Sequence, residues 1–429
     1  MPDRSMKLLD RLPEGTGAVG GGLVVNGLAA YAFITLASRD LGPEDYTPVG
    51  LLWALSFLLG PGFFQPLEQE VARIVAARSG GRIGPVVRTA GCIGAGMVGL
   101  LAVLALMLGG RIRHDLFDGH GLLVVGLLLV LVGLGIGHLV RGVLAGLGRF
   151  GGYARYFIGD GVGRLVMVLV LVGTVGGVGA YGLAVGLAPF IGVVLALAGQ
   201  RDLSLEGPAE PAGALSRALG ALLVASVATA LVLNVSPLAV KVLAGPDQAD
   251  DPGRFLNALL IARVPLFFFQ AVQASLLPRL SALVGAGRFD ELVHVFRRLL
   301  GLVAGIGGTA IVVCAVLGTW IVEFAFGADF AVERQDMVLL AASSAVLMVA
   351  LSFAQALMAC RAQGRMALAW VLGLAVFPLV VAFGEDLFLR VELGLLAAVS
   401  VTATSMAVLL VERLRSRDRW HSMEPWSVL

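Results

Sequence analysis

Long apolar runs separated by short arginine-bearing loops constrain this chain more than any other feature. Residues 19–37, 49–64, 92–108, 122–140, 165–177 and 181–198 set the rhythm in the first half, and 219–240, 255–277, 299–321, 337–358, 367–383 and 393–411 continue it. With its flanking residues, each run approaches the roughly 20 residues that cross about 30 Å of hydrocarbon at a helical rise of about 1.5 Å. The pattern predicts an all-α polytopic membrane protein with about twelve transmembrane helices.

Composition excludes the alternatives. Hydrophobic residues make up 58% of the chain, charged residues 14%, and the mean hydropathy is +0.92, a balance from which no soluble surface can be built. A net charge of +2 gives no reason to expect a nucleic-acid partner.

The distribution of charge carries more than its sum. If the N-terminus is cytoplasmic and every run spans, about 22 of the basic residues fall in cytoplasmic stretches and about 7 in the opposite loops, as the positive-inside rule expects. Both termini of a multi-pass protein are therefore expected inside, and scarce lysine beside abundant Gly, Ala, Val and Arg suggests a GC-rich bacterial genome, hence a bacterial cytoplasmic membrane. Lys7 and Arg11 precede the first run as in a signal peptide, yet that run exceeds a typical h-region and has no clear small-x-small cleavage site before Arg39, so an uncleaved first helix is expected. Cys92, Cys314 and Cys360 lie in or beside apolar segments without metal-ligand spacing, and neither a disulfide framework nor redox chemistry is expected.

Residues 200–217 form the longest polar interruption in mid-chain, with Pro208, Pro211 and three acidic residues, and read as a cytoplasmic linker. This divides the chain into a six-helix bundle at 1–199, a second at 218–412, and a cytoplasmic tail at 413–429. The halves echo each other: Gly42-Pro43-Glu44-Asp45 against Gly245-Pro246-Asp247, and Phe63-Phe64-Gln65 against Phe268-Phe269-Gln270. The offsets, about 203 and about 205 residues, nearly agree, as in parallel repeats related by a pseudo-twofold axis along the membrane normal.

Function must be read from polar groups at membrane depth, since an intramembrane ionisable residue costs at least about 2.5 kcal/mol at the bilayer centre. Arg263 in the eighth run has apolar neighbours on both sides; it is expected to face substrate in a wet cavity or an acidic partner. Arg164, near the start of the fifth run, can contact substrate or snorkel to the interface. Asn26, Asn234 and Gln355 are amides in apolar surroundings, where interhelical glue is the plainer role and cavity contact the sharper one. Gln65, Glu68, Gln69 and Glu70 crowd the end of the second helix, with Gln270 and Gln273 in the matching region of the eighth. Glu68 is the candidate gating or coupling residue, or the partner of Arg73. Gly20–Gly22, Gly94/Gly96, Gly133/Gly135/Gly137 and Gly159/Gly161/Gly163 read first as close helix packing and second as sliding surfaces. Pro61-Gly62 marks the expected bend in the second helix.

Other motifs dissolve. Residues 146–151 match GxGxxG without a βαβ context, no P-loop is present, and His138 has no paired ligand at metal spacing and reads as a packed histidine. No nucleophile–base constellation appears, so neither an enzyme nor a bound cofactor or metal is expected.

The segment from Ala32 through Leu41-Gly42-Pro43-Glu44-Asp45-Tyr46, and Gly146-Leu147-Gly148-Arg149-Phe150 followed by Tyr153 and Tyr156, resemble the polysaccharide flippases of the multidrug/oligosaccharidyl-lipid/polysaccharide exporter superfamily. Helix number and topology agree along almost the whole chain. The resemblance implies a two-lobed carrier that moves lipid-linked oligosaccharides to the outer leaflet, working beside other polysaccharide-assembly proteins, with a cationic cavity for the pyrophosphate. Arg263, then Arg164, then Lys241 suit that head group, with Asn26 and Asn234 beside the cavity. The first run carries no carboxylate, a departure from several proton-coupled drug exporters of the superfamily. A proton- or sodium-coupled small-molecule antiporter using Glu68 or Glu323, and a non-transporting scaffold, are the alternatives.

Overall fold

The computed structural model describes residues 16–77, 83–200, 212–360 and 362–415; within these, the side chains of 212–219 and of 270–275, among others, are left undescribed. Every described regular element is helical. The first helix, α1 (Thr16–Leu59), holds two passes folded at Gly42, whose φ of 72° lies in the left-handed region that a side chain disfavours. A π-helical turn (Gly60–Phe64) leads into α2 (Gln65–Ala76). Then come α3 (Gly84–Met107), α4 (Gly121–Gly146), α5 (Phe150–Val172), α6 (Gly177–Leu197) and α7 (Ala212–Leu243). The series continues with α8 (Asp251–Ala262), α9 (Val264–Gly285), α10 (Phe289–Phe326), α11 (Arg334–Ala359), α12 (Gln363–Val381) and α13 (Leu387–Arg415).

Nine described segments are long and apolar enough to cross a membrane by themselves. The first of them, Gly17–Ala76, is 60 residues long and makes two passes. Two further passes escape that criterion. Helix α5 carries Arg155, Asp160 and Arg164, and the eighth pass is broken between α8 and α9. The chain is thus a multi-pass membrane protein of twelve helices. Leu169, Met107 and Phe383 stand outward with most of their surface uncovered, acceptable against lipid and costly against water.

Two expectations need correction. The eighth run is not one helix: it interrupts at Arg263, where Pro265 follows and cannot donate an amide hydrogen bond. The fifth helix begins at Phe150, well before residue 165, so Arg164 sits deep within it rather than near its start. Apolar counting missed the first part of this pass because Arg155, Asp160 and Arg164 interrupt it; Asp160 and Arg164 pair with each other. Pro61-Gly62 does depart from α-helix, as the π-helical turn, with the Gln65 N–H reaching the Gly60 carbonyl.

The chain divides into two compact units, Met1–Ala230 and Leu231–Leu429, with the boundary inside α7. In the first unit α5 packs on α6 and α1, and α4 lies against α2, α3 and α6. In the second, α11 packs against α10 and α13, and α12 against α13. Most of the linker at 200–217, residues 201–211, and most of the tail at 413–429 lie outside the described residues.

Candidate functional site

Among the described residues of the first unit, a dense buried polar cluster forms where α2, α4 and α5 meet, at the end where the basic loops lie. Leu67, Val71 and Val75 repeat every four residues along α2 and bury with Ile83, Val86, Ala90 and Val143. That packing leaves Glu68 turned towards α4. The two helices approach closely because α4 has no side chain at Gly142 or Gly146. A Cβ at Gly142 would stand 2.7 Å from the Glu68 carbonyl oxygen, and one at Gly146 would stand 2.8 Å from that of Ala72. At this crossing His138 and Arg141, three residues apart on one face of α4, reach the Glu68 carboxylate.

Arg141 Nη2 donates to Glu68 Oε2 at 2.5 Å. His138 Nδ1 lies 2.9 Å from the same oxygen and 2.8 Å from Arg141 Nη2. With its proton on Nδ1 the imidazole donates to Glu68; with the proton on Nε2 it accepts from Arg141. Helix α5 supplies the rest, entering after a turn in which Gly148 adopts φ 68°. Tyr153 Oη donates to Glu68 Oε1 at 2.8 Å, and the rings of Tyr156 and Phe157 lie 5.0 and 5.1 Å from the Arg141 guanidinium carbon. Arg141 Nε is buried without a hydrogen-bond partner. Three helices are thus tied by one carboxylate, one guanidinium, one imidazole and one phenol, largely withdrawn from solvent. Such a cluster is rigid while complete and costly when one member leaves.

The Glu68–Arg73 pairing considered from the sequence is not the one formed. Arg73 pairs with Glu70 at 2.6 Å, three residues back on its own helix. Gln65 is exposed and stands apart from the cluster, and the side chains of Gln270 and Gln273 lie outside the described residues.

The other candidates fall into two groups. In the first unit, Arg164 Nη2 bonds Asp160 Oδ2 at 2.8 Å, one helical turn away, and its guanidinium lies 4.4 Å from the Trp53 ring and 5.7 Å from that of Phe33. Asn26 lies where α1 crosses α5 at Gly161, and its Oδ1 is buried without a partner. In the second unit, the Arg263 guanidinium donates to the main-chain carbonyl of Leu233. Pro237 explains why that carbonyl is available: four residues on, it has no N–H to complete the helical bond. Arg263 therefore caps a carbonyl that a proline has freed. Asn234 is buried, Lys241 half-buried, and Glu323 exposed.

Sequence reading located Glu68 but missed its partners. Arg141, at the end of the fourth run, falls among the basic residues of a connecting stretch, and His138 alone has the pattern of a packed histidine. Asp160 was overlooked, although its spacing of four from Arg164 was the available signal.

No protein-family profile matches the chain. Uncharacterized proteins of Mycobacterium bovis and of Mycobacterium tuberculosis strain H37Rv are each 27% identical over 357 residues, covering 80% of this chain and 79% of their own. Among solved structures, an inward-facing multidrug resistance MATE family transporter of the MOP superfamily aligns with a TM-score of 0.76 and 13% identity, over 92% of this chain and 96% of its own. An outward-facing structure of such a transporter aligns at 0.66 and 13% identity, over 95% and 96%. The Vibrio cholerae MATE transporter VcmN in the bent form aligns at 0.62 and 14% identity, over 95% and 100%. The chain has the fold of these transporters, twelve helices in two halves.

Proposed function

We propose that this protein is an alternating-access transporter that carries a polyprenyl-pyrophosphate-linked oligosaccharide to the outer leaflet for surface polysaccharide assembly. The observation that carries the transport reading is a fold shared over more than nine-tenths of the chain with transporters seen both inward-facing and outward-facing. The cargo rests on the sequence resemblance and on arginine chemistry: a guanidinium fork matches phosphate oxygens, and Arg263 and Lys241 bring positive charge into the second unit and Arg164 into the first. Asn26 and Asn234 are the accompanying polar contacts. Glu68, tied to Arg141, His138 and Tyr153, is a latch that keeps α2, α4 and α5 together at one end of the first unit. Nothing in this reading asks the protein for covalent chemistry.

A second reading, a cation-coupled antiporter of small molecules, is favoured by the multidrug transporters among the structural neighbours. Deleting the gene and profiling polyprenyl-linked glycans by mass spectrometry separates the two. Accumulation of a lipid-linked oligosaccharide, reversed by the wild-type gene, is expected; unchanged pools support the antiporter. Arg263→Ala alone would confound substrate contact with the orphaned Leu233 carbonyl. The informative complementation therefore uses Arg263→Ala with Pro237→Ala, which returns an amide donor to that carbonyl. Substrate contact predicts that the double variant folds and still fails to clear the lipid-linked pool.

A further inference from the structure

Among the described residues of the second unit, Glu392, in the second turn of α13, is a charge-bearing group with no evident accommodation. Its relative exposure is 0%, and both carboxylate oxygens are buried with no hydrogen-bond partner. The charged groups acting on it electrostatically are Asp336, at the start of α11, and Asp386, just before α13. Both are acidic.

Among the described residues, the neighbouring elements bring no cation to it. From α11 the basic residue is Arg334, which is exposed. From α12 it is Arg365, at the far end of the helix beside Arg413. From α8, Arg254 is engaged by the Ala331 carbonyl and by Asp251 at 3.4 Å. Arg390 on α13 itself stands two residues from Glu392, a spacing that puts side chains on different faces of a helix.

The three carboxyls are not equivalent. Asp336 Oδ2 accepts the Glu333 N–H at 2.8 Å, and Asp386 Oδ1 accepts the Leu389 N–H at 2.8 Å. Each of these has a donor that supports a negative charge, and Asp386 is exposed as well. Glu392 has neither. A carboxylate withdrawn from water beside like charges, with no donor, is not maintained as an anion; it takes up a proton or a metal ion. Among the described residues, no group of three His, Cys, Asp or Glu side chains is arranged to hold a metal ion.

We propose that Glu392 is a proton-binding site, neutral in the conformation described and able to ionise when water or a donor reaches it. Asp336, in the first turn of α11, and the exposed Asp386, just before α13, are the acidic neighbours of the site. On the transport reading above, this makes the second unit a place where proton binding is coupled to movement.

The site can be tested without knowing the cargo, by infrared difference spectroscopy of the purified full-length protein in lipid nanodiscs, titrated in pH with choline or sodium chloride as the salt. The wild type is expected to show a protonated-carboxyl carbonyl band at neutral pH. That band should be absent in Glu392→Gln, displaced in Glu392→Asp, and retained in Asp336→Asn. Because glutamine mimics the neutral acid, Glu392→Gln should also melt within a few degrees of wild type. A band that persists in Glu392→Gln overturns the assignment. A band that sodium abolishes overturns the proton in favour of a metal cation. A wild-type spectrum without the band also overturns the proposal while leaving the flippase reading standing, and loss of the flippase reading would leave this spectrum unchanged.

Discussion

Glu68 accepts hydrogen bonds from side chains on two other helices, so replacing it isolates a buried guanidinium rather than merely deleting a contact. Glu68→Gln is expected to cost about 3 kcal/mol of stability, the usual penalty for stranding one member of a buried pair. Converting both partners, Glu68→Leu with Arg141→Met, should recover most of that loss, as thermal melts of the purified protein would read. Tyr153→Phe removes one bond to a charged acceptor and should cost about 1.5 kcal/mol. At this scale the sequence was partly legible. Glu68 could be singled out because a carboxylate near the end of an apolar run needs a reason. Its partner Arg141 is 73 residues away, and periodicity holds no information about which distant helix arrives alongside. Arg164 was equally conspicuous, and its partner, four residues back, could have been found by spacing alone.

Helices meet here through missing side chains. The α2–α4 crossing that assembles the Glu68 cluster depends on Gly142, where an added methyl would press on main chain that cannot swing aside. Gly142→Ala should therefore lower the melting temperature by the equivalent of about 1–3 kcal/mol. Gly99→Ala, in open space on α3, should leave it unchanged or raise it slightly. Helix interruptions obey a related logic. Pro237 frees the Leu233 carbonyl and Arg263 occupies it, so Arg263→Ala should destabilise the protein, and Pro237→Ala should suppress part of that effect. Additive losses in a double-mutant cycle would show the two residues to be uncoupled. Proline positions and the Pro61-Gly62 distortion were readable from the sequence because proline acts locally. The break at Arg263 was readable only in part: Pro265 marks a place where a helix bends, but a proline does not say whether the helix bends or ends there.

Across the whole molecule, the twelve passes were the most legible feature, since their length is dictated by the bilayer rather than by packing. The exceptions are instructive. The fifth pass hides Arg155, Asp160 and Arg164 among apolar residues, so counting hydrophobicity trims it, whereas recognising the Asp160–Arg164 pair removes two of the three charges from that count. Basic-residue asymmetry predicts both termini on the cytoplasmic side. Fluorescent-protein fusions at either end should report the cytoplasm, and a cysteine introduced in the 109–120 connection should react with impermeant reagents from outside. Labelling from the opposite side would invert the topology.

The central claim is that this fold moves a lipid-linked glycan between leaflets. The most direct measurement is leaflet exchange in proteoliposomes containing the purified protein and a polyprenyl-pyrophosphate-linked oligosaccharide, read by access of a membrane-impermeant glycosidase. The account predicts that glycan protected in the inner leaflet becomes accessible with wild-type protein, and much more slowly with folded Glu68→Gln. Exchange no faster than in protein-free liposomes, from protein that is demonstrably folded, would contradict it.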